Sequence, residues 1–160
     1  MATIITDLKE SFRRGTIYIQ LIYINVGVFI LTTLTEVILQ LFNRSLGGTF
    51  EWLELPASLP RFITQPWSIL TYMFMHAGVM HILFNMLWLY WFGALFLSFF
   101  SAKHLRGVYI LGGICGGLLY MAAYNIFPYF RPMTEYSFML GASASVLAVV
   151  AATAYREPNC

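Results

Sequence analysis

The stretch Met75-His76-Ala77-Gly78-Val79-Met80-His81-Ile82-Leu83-Phe84-Asn85-Met86 opens an apolar block that runs on to Phe100. A helix of that length crosses the roughly 30 Å of bilayer hydrocarbon at about 1.5 Å per residue. Two histidines and an asparagine sit near one end of it. His81 and Asn85 are four apart, so they project from one helix face. Such side chains are costly inside a membrane and face the protein interior or a wet cavity. They form a pair of hydrogen-bond donors, the kind of group that stabilises a developing oxyanion. Interhelical hydrogen bonding is the plainer reading of the same residues. A metal site is the third: His76 and His81, five apart, share a helix face poorly, and no Cys, Asp or Glu stands close by to complete a shell.

The rest of the chain repeats the pattern. Its 160 residues are 59% hydrophobic and 10% charged, with a mean hydropathy of +0.72. A soluble domain of this size carries far more polar surface. The apolar residues fall in long blocks, which predict spans at about 17–42, 77–100, 105–127 and 138–155. The fold class is therefore an all-α membrane protein, a polytopic helical bundle in the lipid bilayer. Residues 1–16 form a polar N-terminal segment, and 17–160 the transmembrane domain. The first block is long for a signal sequence and no Ala-x-Ala-like site follows it, so it reads as a retained helix.

Residues 43–68 carry Pro56, Pro60 and Pro66 among Trp52, Leu53, Leu55, Phe62, Ile63 and Trp67. Proline breaks a long helix and tryptophan favours the interface, so this is a loop lying on or partly in the membrane surface. Residues 128–137, with Pro128, Arg131, Pro132 and Glu135, form a second polar loop. Of the nine Lys and Arg residues, Lys9, Arg13, Arg14, Lys103, Arg106 and Arg156 fall on one side. Arg44, Arg61 and Arg131 fall on the other. The bias puts the N-terminus in the cytoplasm and both loops outside, in the plasma or inner membrane if the source is bacterial. These cations are too few and too scattered for a nucleic-acid surface. Cys115 and Cys160 read as free thiols with neither a metal nor a disulfide role.

Ser143 lies in Leu140-Gly141-Ala142-Ser143-Ala144-Ser145. A helix from Ser143 to Tyr155 covers only about 20 Å, too short to cross the bilayer. If it starts there and ends at Arg156 on the inner face, Ser143 lies below the outer surface. Irregular backbone at that depth is tolerated only where protein or water covers it. The free N–H groups and positive dipole end of such a helix favour developing negative charge. The other reading is a full span from Phe138, with Gly, Ala and Ser serving close packing. Gly112, Gly113, Gly116 and Gly117 make two overlapping small-xxx-small pairs, and Ala144, Ala148 and Ala152 a further small face.

His76-Ala77-Gly78-x-x-His81-x-x-x-Asn85, then a glycine-rich helix, then Gly141-x-Ser143 opening a short helix, resembles the rhomboid family of intramembrane serine proteases. The order and spacing match over roughly residues 65–156. The resemblance implies a core of six transmembrane helices, four of them in this chain, and cleavage of transmembrane protein substrates near the outer surface. It assigns the nucleophile to Ser143 and oxyanion stabilisation to His81, Asn85 and the Ser143 amide, with Gly141 and His76 supporting the motif. It implies no cofactor and no metal. Two departures stand out: Ala144 replaces the usual motif glycine, and the family's general-base histidine, on its sixth helix, has no position in the chain. A serine hydroxyl needs an adjacent base, so these 160 residues alone are expected to be inactive. A His76–Ser143 dyad is the in-chain substitute. A non-catalytic rhomboid-like binder of membrane-protein clients is the second hypothesis. A small transporter or structural membrane protein, in which the polar cluster lines a solute path and Glu36 and Asn125 take part, is the third.

Overall fold

The computed structural model describes residues 6–7, 9–10, 12–13, 15–42 and 50–156. Arg14, Arg44 and Cys160, which enter the sequence reading, lie outside them, as do positions 43–49 of the first loop. Among the described residues three helices are long and apolar enough to cross a membrane: α1 (Ile17–Leu41), α4 (Val79–Phe99) and α5 (Ala102–Ile126). Between α1 and α4 the chain forms the short strand β1 (Leu55–Pro56), the helix α2 (Leu59–Thr64), the single turn α3 (Ser68–Thr71) and a 3-10 turn over Tyr72–Phe74. After α5 come a 3-10 segment (Arg131–Tyr136), the strand β2 (Phe138–Met139) and the final helix α6 (Ser143–Arg156).

Two expectations are corrected here. The block 138–155 is not one helix: Phe138 and Met139 pair antiparallel with Pro56 and Leu55. The pairing satisfies backbone groups that a helix would otherwise have bonded internally. The helix starts at Ser143 and, at 14 residues, is about 21 Å long. Second, the block from 77 begins its helix only at Val79, because Gly78 is extended, while the third helix starts earlier, at Ala102.

Lipid removes the hydrophobic drive between helices, so packing and hydrogen bonds hold the bundle. The first glycine pair on α5 faces α6, and the second faces both α6 and the segments before α4. Gly112 and Gly116 lie against Ala148 and Ala144 of α6. Gly113 lies against Met73 and Ser145, and Gly117 against Ile69, Leu55 and Tyr72. A Cβ built on Gly116 would sit 2.5 Å from the Cβ of Ala144. The methyl of Ala144 therefore occupies the space that Gly116 leaves. The core in this region carries Tyr109, Val146 and Val149, all buried.

Helix α1 joins the bundle more loosely, with Leu21 and Asn25 its buried residues. Asn25 Nδ2 donates to the Tyr109 hydroxyl at 3.2 Å, and Gly93 of α4 admits the ring of Tyr18. The first loop is tied down by side chains that reach backbone carbonyls. Gln65 Nε2 donates to the carbonyls of Glu51 and Glu54 at 3.0 and 3.1 Å. Thr71 Oγ1 donates to Leu53 O at 2.8 Å. Asn125 Nδ2, at the end of α5, donates to Ala57 O at 2.8 Å. Asn125 thus has a structural occupation, and a solute-path role is not needed to explain it. Trp52 and Trp67 stack at 6.1 Å beside this loop and are both exposed, as interfacial tryptophans are.

Candidate active site

The segment 72–78 and the turn 140–142 meet where α4 and α6 begin. His81 lies in the first turn of α4, whose first bond runs from Ile82 N–H to Gly78 O at 3.1 Å. Asn85 follows one turn on and is buried. Its Nδ2 donates to His81 O at 3.0 Å. An amide nitrogen carries two hydrogens, so this bond leaves one N–H uncommitted.

Ser143 is the first residue of α6. The residue before it, Ala142, is fully buried, and its carbonyl accepts the Val146 N–H at 2.8 Å. The amides of the first helical turn have no partner in their own helix, which leaves their positive end at Ser143. Gly141 has φ +119°, a conformation that L side chains rarely adopt. Its N–H donates to Tyr72 O at 2.9 Å. A Cβ at this position would lie 2.7 Å from His81 Nε2 and 3.8 Å from Ser143 Oγ. Position 141 is thus glycine for two reasons, the backbone angle and the approach of the His81 ring.

Ser143, His81 and Asn85 line one cavity of about 400 Å³ between α4 and α6. The remainder of its wall is apolar, with Phe84, Trp88 and Leu147 among the lining residues. The geometry offers a hydroxyl at a helix N-terminus beside an imidazole and an amide, in an open and mostly apolar cleft with room for side chains of a peptide segment. A carbonyl attacked at the Ser143 oxygen would find donors on the neighbouring helix.

His76 is buried at 7% exposure and packs edge-on against His81, with ring centroids 5.1 Å apart. Its Nε2 accepts the Ala142 N–H at 3.5 Å, and its Nδ1 faces Phe74 O at 3.4 Å. Burial pushes the His76 imidazole down to about 4, and the neighbouring His81 adds to the shift against a small opposing pull from the Phe74 carbonyl. Both of its ring nitrogens are spent on backbone, so the geometry gives the His76–Ser143 dyad no support. No group of three His, Cys, Asp or Glu side chains that would hold a metal occurs among the described residues.

The structure brings the sequence-predicted residues His76, His81, Asn85, Gly141 and Ser143 into one neighbourhood. Sequence reasoning missed Tyr72, which holds Gly141 through its carbonyl and whose hydroxyl donates to Gly113 O at 2.6 Å. A backbone carbonyl leaves no mark on residue choice. It also missed Trp88 and Leu147 as cavity lining, since in an apolar span they are indistinguishable from lipid-facing residues.

A family model described as a Rhomboid domain matches residues 64–159. No curated protein matches the chain. The matched region takes in the segment before α4, all of α4 and α5, and α6.

Proposed function

The chain belongs to the rhomboid family and is an integral membrane protein, and from that premise we propose that it provides the nucleophile and oxyanion site of an intramembrane serine endopeptidase. The observation that carries the reading is the shared cavity of Ser143, His81 and Asn85 at the start of the short helix α6.

Ser143 Oγ attacks the carbonyl of a substrate segment that enters from the outer side. The carbonyl oxygen becomes an oxyanion, stabilised by His81, by the uncommitted N–H of Asn85 and by the Ser143 amide. The serine proton passes to a histidine from outside these 160 residues, because His76 is bonded to backbone and His104 pairs with Ser101 at the opposite end of the helices. The substrates are membrane proteins with a weakly helical segment near the outer surface, and the N-terminus is cytoplasmic. In this reading residues 17–160 are the rhomboid-like transmembrane domain. Ala144 does not argue against activity, since Gly116 accommodates its methyl.

The test uses the product of the complete gene in liposomes, together with the reading frame beyond codon 160. Expected are labelling of Ser143 by a fluorophosphonate probe, cleavage of a single-span reporter with a helix-breaking segment, and loss of both in Ser143→Ala. A complete product that neither labels nor cleaves, yet captures membrane-protein clients, would replace the protease with a non-catalytic binder. Labelling of the 160-residue chain by itself would overturn the external base.

A further inference from the structure

We propose that His76 is a positioning residue for the turn that carries Ser143, holding the Ala142 amide as a neutral imidazole with its proton on Nδ1. Its consequence for catalysis rests on the reading of Ser143 as nucleophile; the contact itself does not.

The turn 140–142 must place two buried N–H groups. That of Gly141 goes to the Tyr72 carbonyl at 2.9 Å, and that of Ala142 to His76 Nε2 at 3.5 Å. Both partners come from the short segment before α4, so one stretch of chain holds two successive amides of the turn. A ring nitrogen that accepts must be bare. The proton then sits on Nδ1, which faces the Phe74 carbonyl at 3.4 Å. One tautomer serves both contacts. The other tautomer, and the imidazolium, would set an N–H against the Ala142 N–H. Ala142 is fully buried, so water cannot take over its N–H if His76 is lost, and a buried unpaired amide is unfavourable. The next residue along the chain is Ser143.

The surroundings keep the ring neutral. His81 of α4 packs on it. A second cavity, of about 280 Å³, lies behind the turn and is lined by His76, Leu140, Glu36 of α1 and Glu54 of the first loop. The two carboxylates favour an imidazolium, while burial and His81 disfavour it. The net direction is downward, so the neutral form holds across the physiological range.

The test reads the full chain in micelles with its three histidines labelled with nitrogen-15, His76 being assigned by its absence in His76→Gln. Between pH 7 and 5 the expected spectrum has a bare Nε2 and a protonated Nδ1, with conversion to imidazolium only near pH 4. Amide exchange at Ala142 is expected to be roughly tenfold faster in His76→Leu, which lacks an acceptor, and to return toward the native rate in His76→Gln, whose amide oxygen accepts. A proton on Nε2, titration near the ordinary 6.5, or unchanged exchange in His76→Leu would each overturn the proposal. Should His76→Leu not fold, the tautomer in the native protein decides alone. No readout requires proteolysis, so failure of Ser143 to act as a nucleophile and failure of His76 to hold the turn are separate results.

Discussion

Replacing Gly141 by alanine acts on the junction between the two site helices through two measurable effects. The first is conformational. At φ +119° an L residue is strained by about 1–3 kcal/mol. The second is steric. The new Cβ falls 2.7 Å from His81 Nε2, so the ring must leave its rotamer well, at about 0.5–1.5 kcal/mol. The sum is about 1.5–4.5 kcal/mol, or a factor of roughly 10 to 1,600 in the unfolding equilibrium, at tenfold for each 1.4 kcal/mol. Reversible unfolding in mixed micelles titrated with sodium dodecyl sulfate, followed by circular dichroism, measures it. Gly107→Ala is the control. That glycine is within α5 with nothing near its missing Cβ, so the substitution should stabilise by roughly 0.5–1 kcal/mol through helix propensity. If Gly141→Ala unfolds at the native midpoint, while Gly107→Ala shifts upward as described, the positive φ and the His81 contact are not features of this protein.

The α5–α6 contact predicts a coupled pair. Gly116→Ala should destabilise by about 1–3 kcal/mol through overlap with Ala144, and Ala144→Gly should relieve it; additive effects in the double-mutant cycle would refute the contact. Asn125→Ala removes the donor to the Ala57 carbonyl. It should cost about 0.6 kcal/mol and speed proteolytic nicking between β1 and α2, and an unchanged nicking rate would count against the tie. The lowered His76 value fixes a sign for pH. The unfolded chain binds a proton near 6.5 that the folded chain refuses until about 4. Stability gained from the neutral ring is therefore fully present above 6.5 and falls as pH drops toward 4, by at most about 1.4 kcal/mol per unit. The raised Glu54 carboxyl, shifted by burial and by Glu51 and Glu36, acts in the opposite sense. The measurement is accordingly the difference between native and His76→Gln profiles, and a flat difference over that window would be the contrary result.

The chain by itself determined that this is a helical membrane protein. Runs of apolar residues long enough for the bilayer have one stable outcome in lipid, because the backbone must bond within each segment. The spacing of His81 and Asn85 put both on one face of α4, since helical period is a local property. For residues 138–155 the sequence left two readings open, a full span and a short helix from Ser143, because rise per residue fixes the reach from Ser143 to Arg156 but not where the helix begins. The resemblance to rhomboids rested on those same local patterns. The structure alone decided where the fourth block stops being helical: Phe138 and Met139 find their partner in Leu55 and Pro56, and strand pairing at that separation has no periodic signature. It alone decided which neighbour each glycine of α5 serves, and that Gly116 makes room for Ala144. Nor does any sequence pattern announce that His76 turns both nitrogens to backbone or that the Tyr72 carbonyl holds Gly141. Helical period and span length are set by neighbours along the chain. Contacts between distant segments depend on how the whole bundle packs, and only the folded arrangement specifies them.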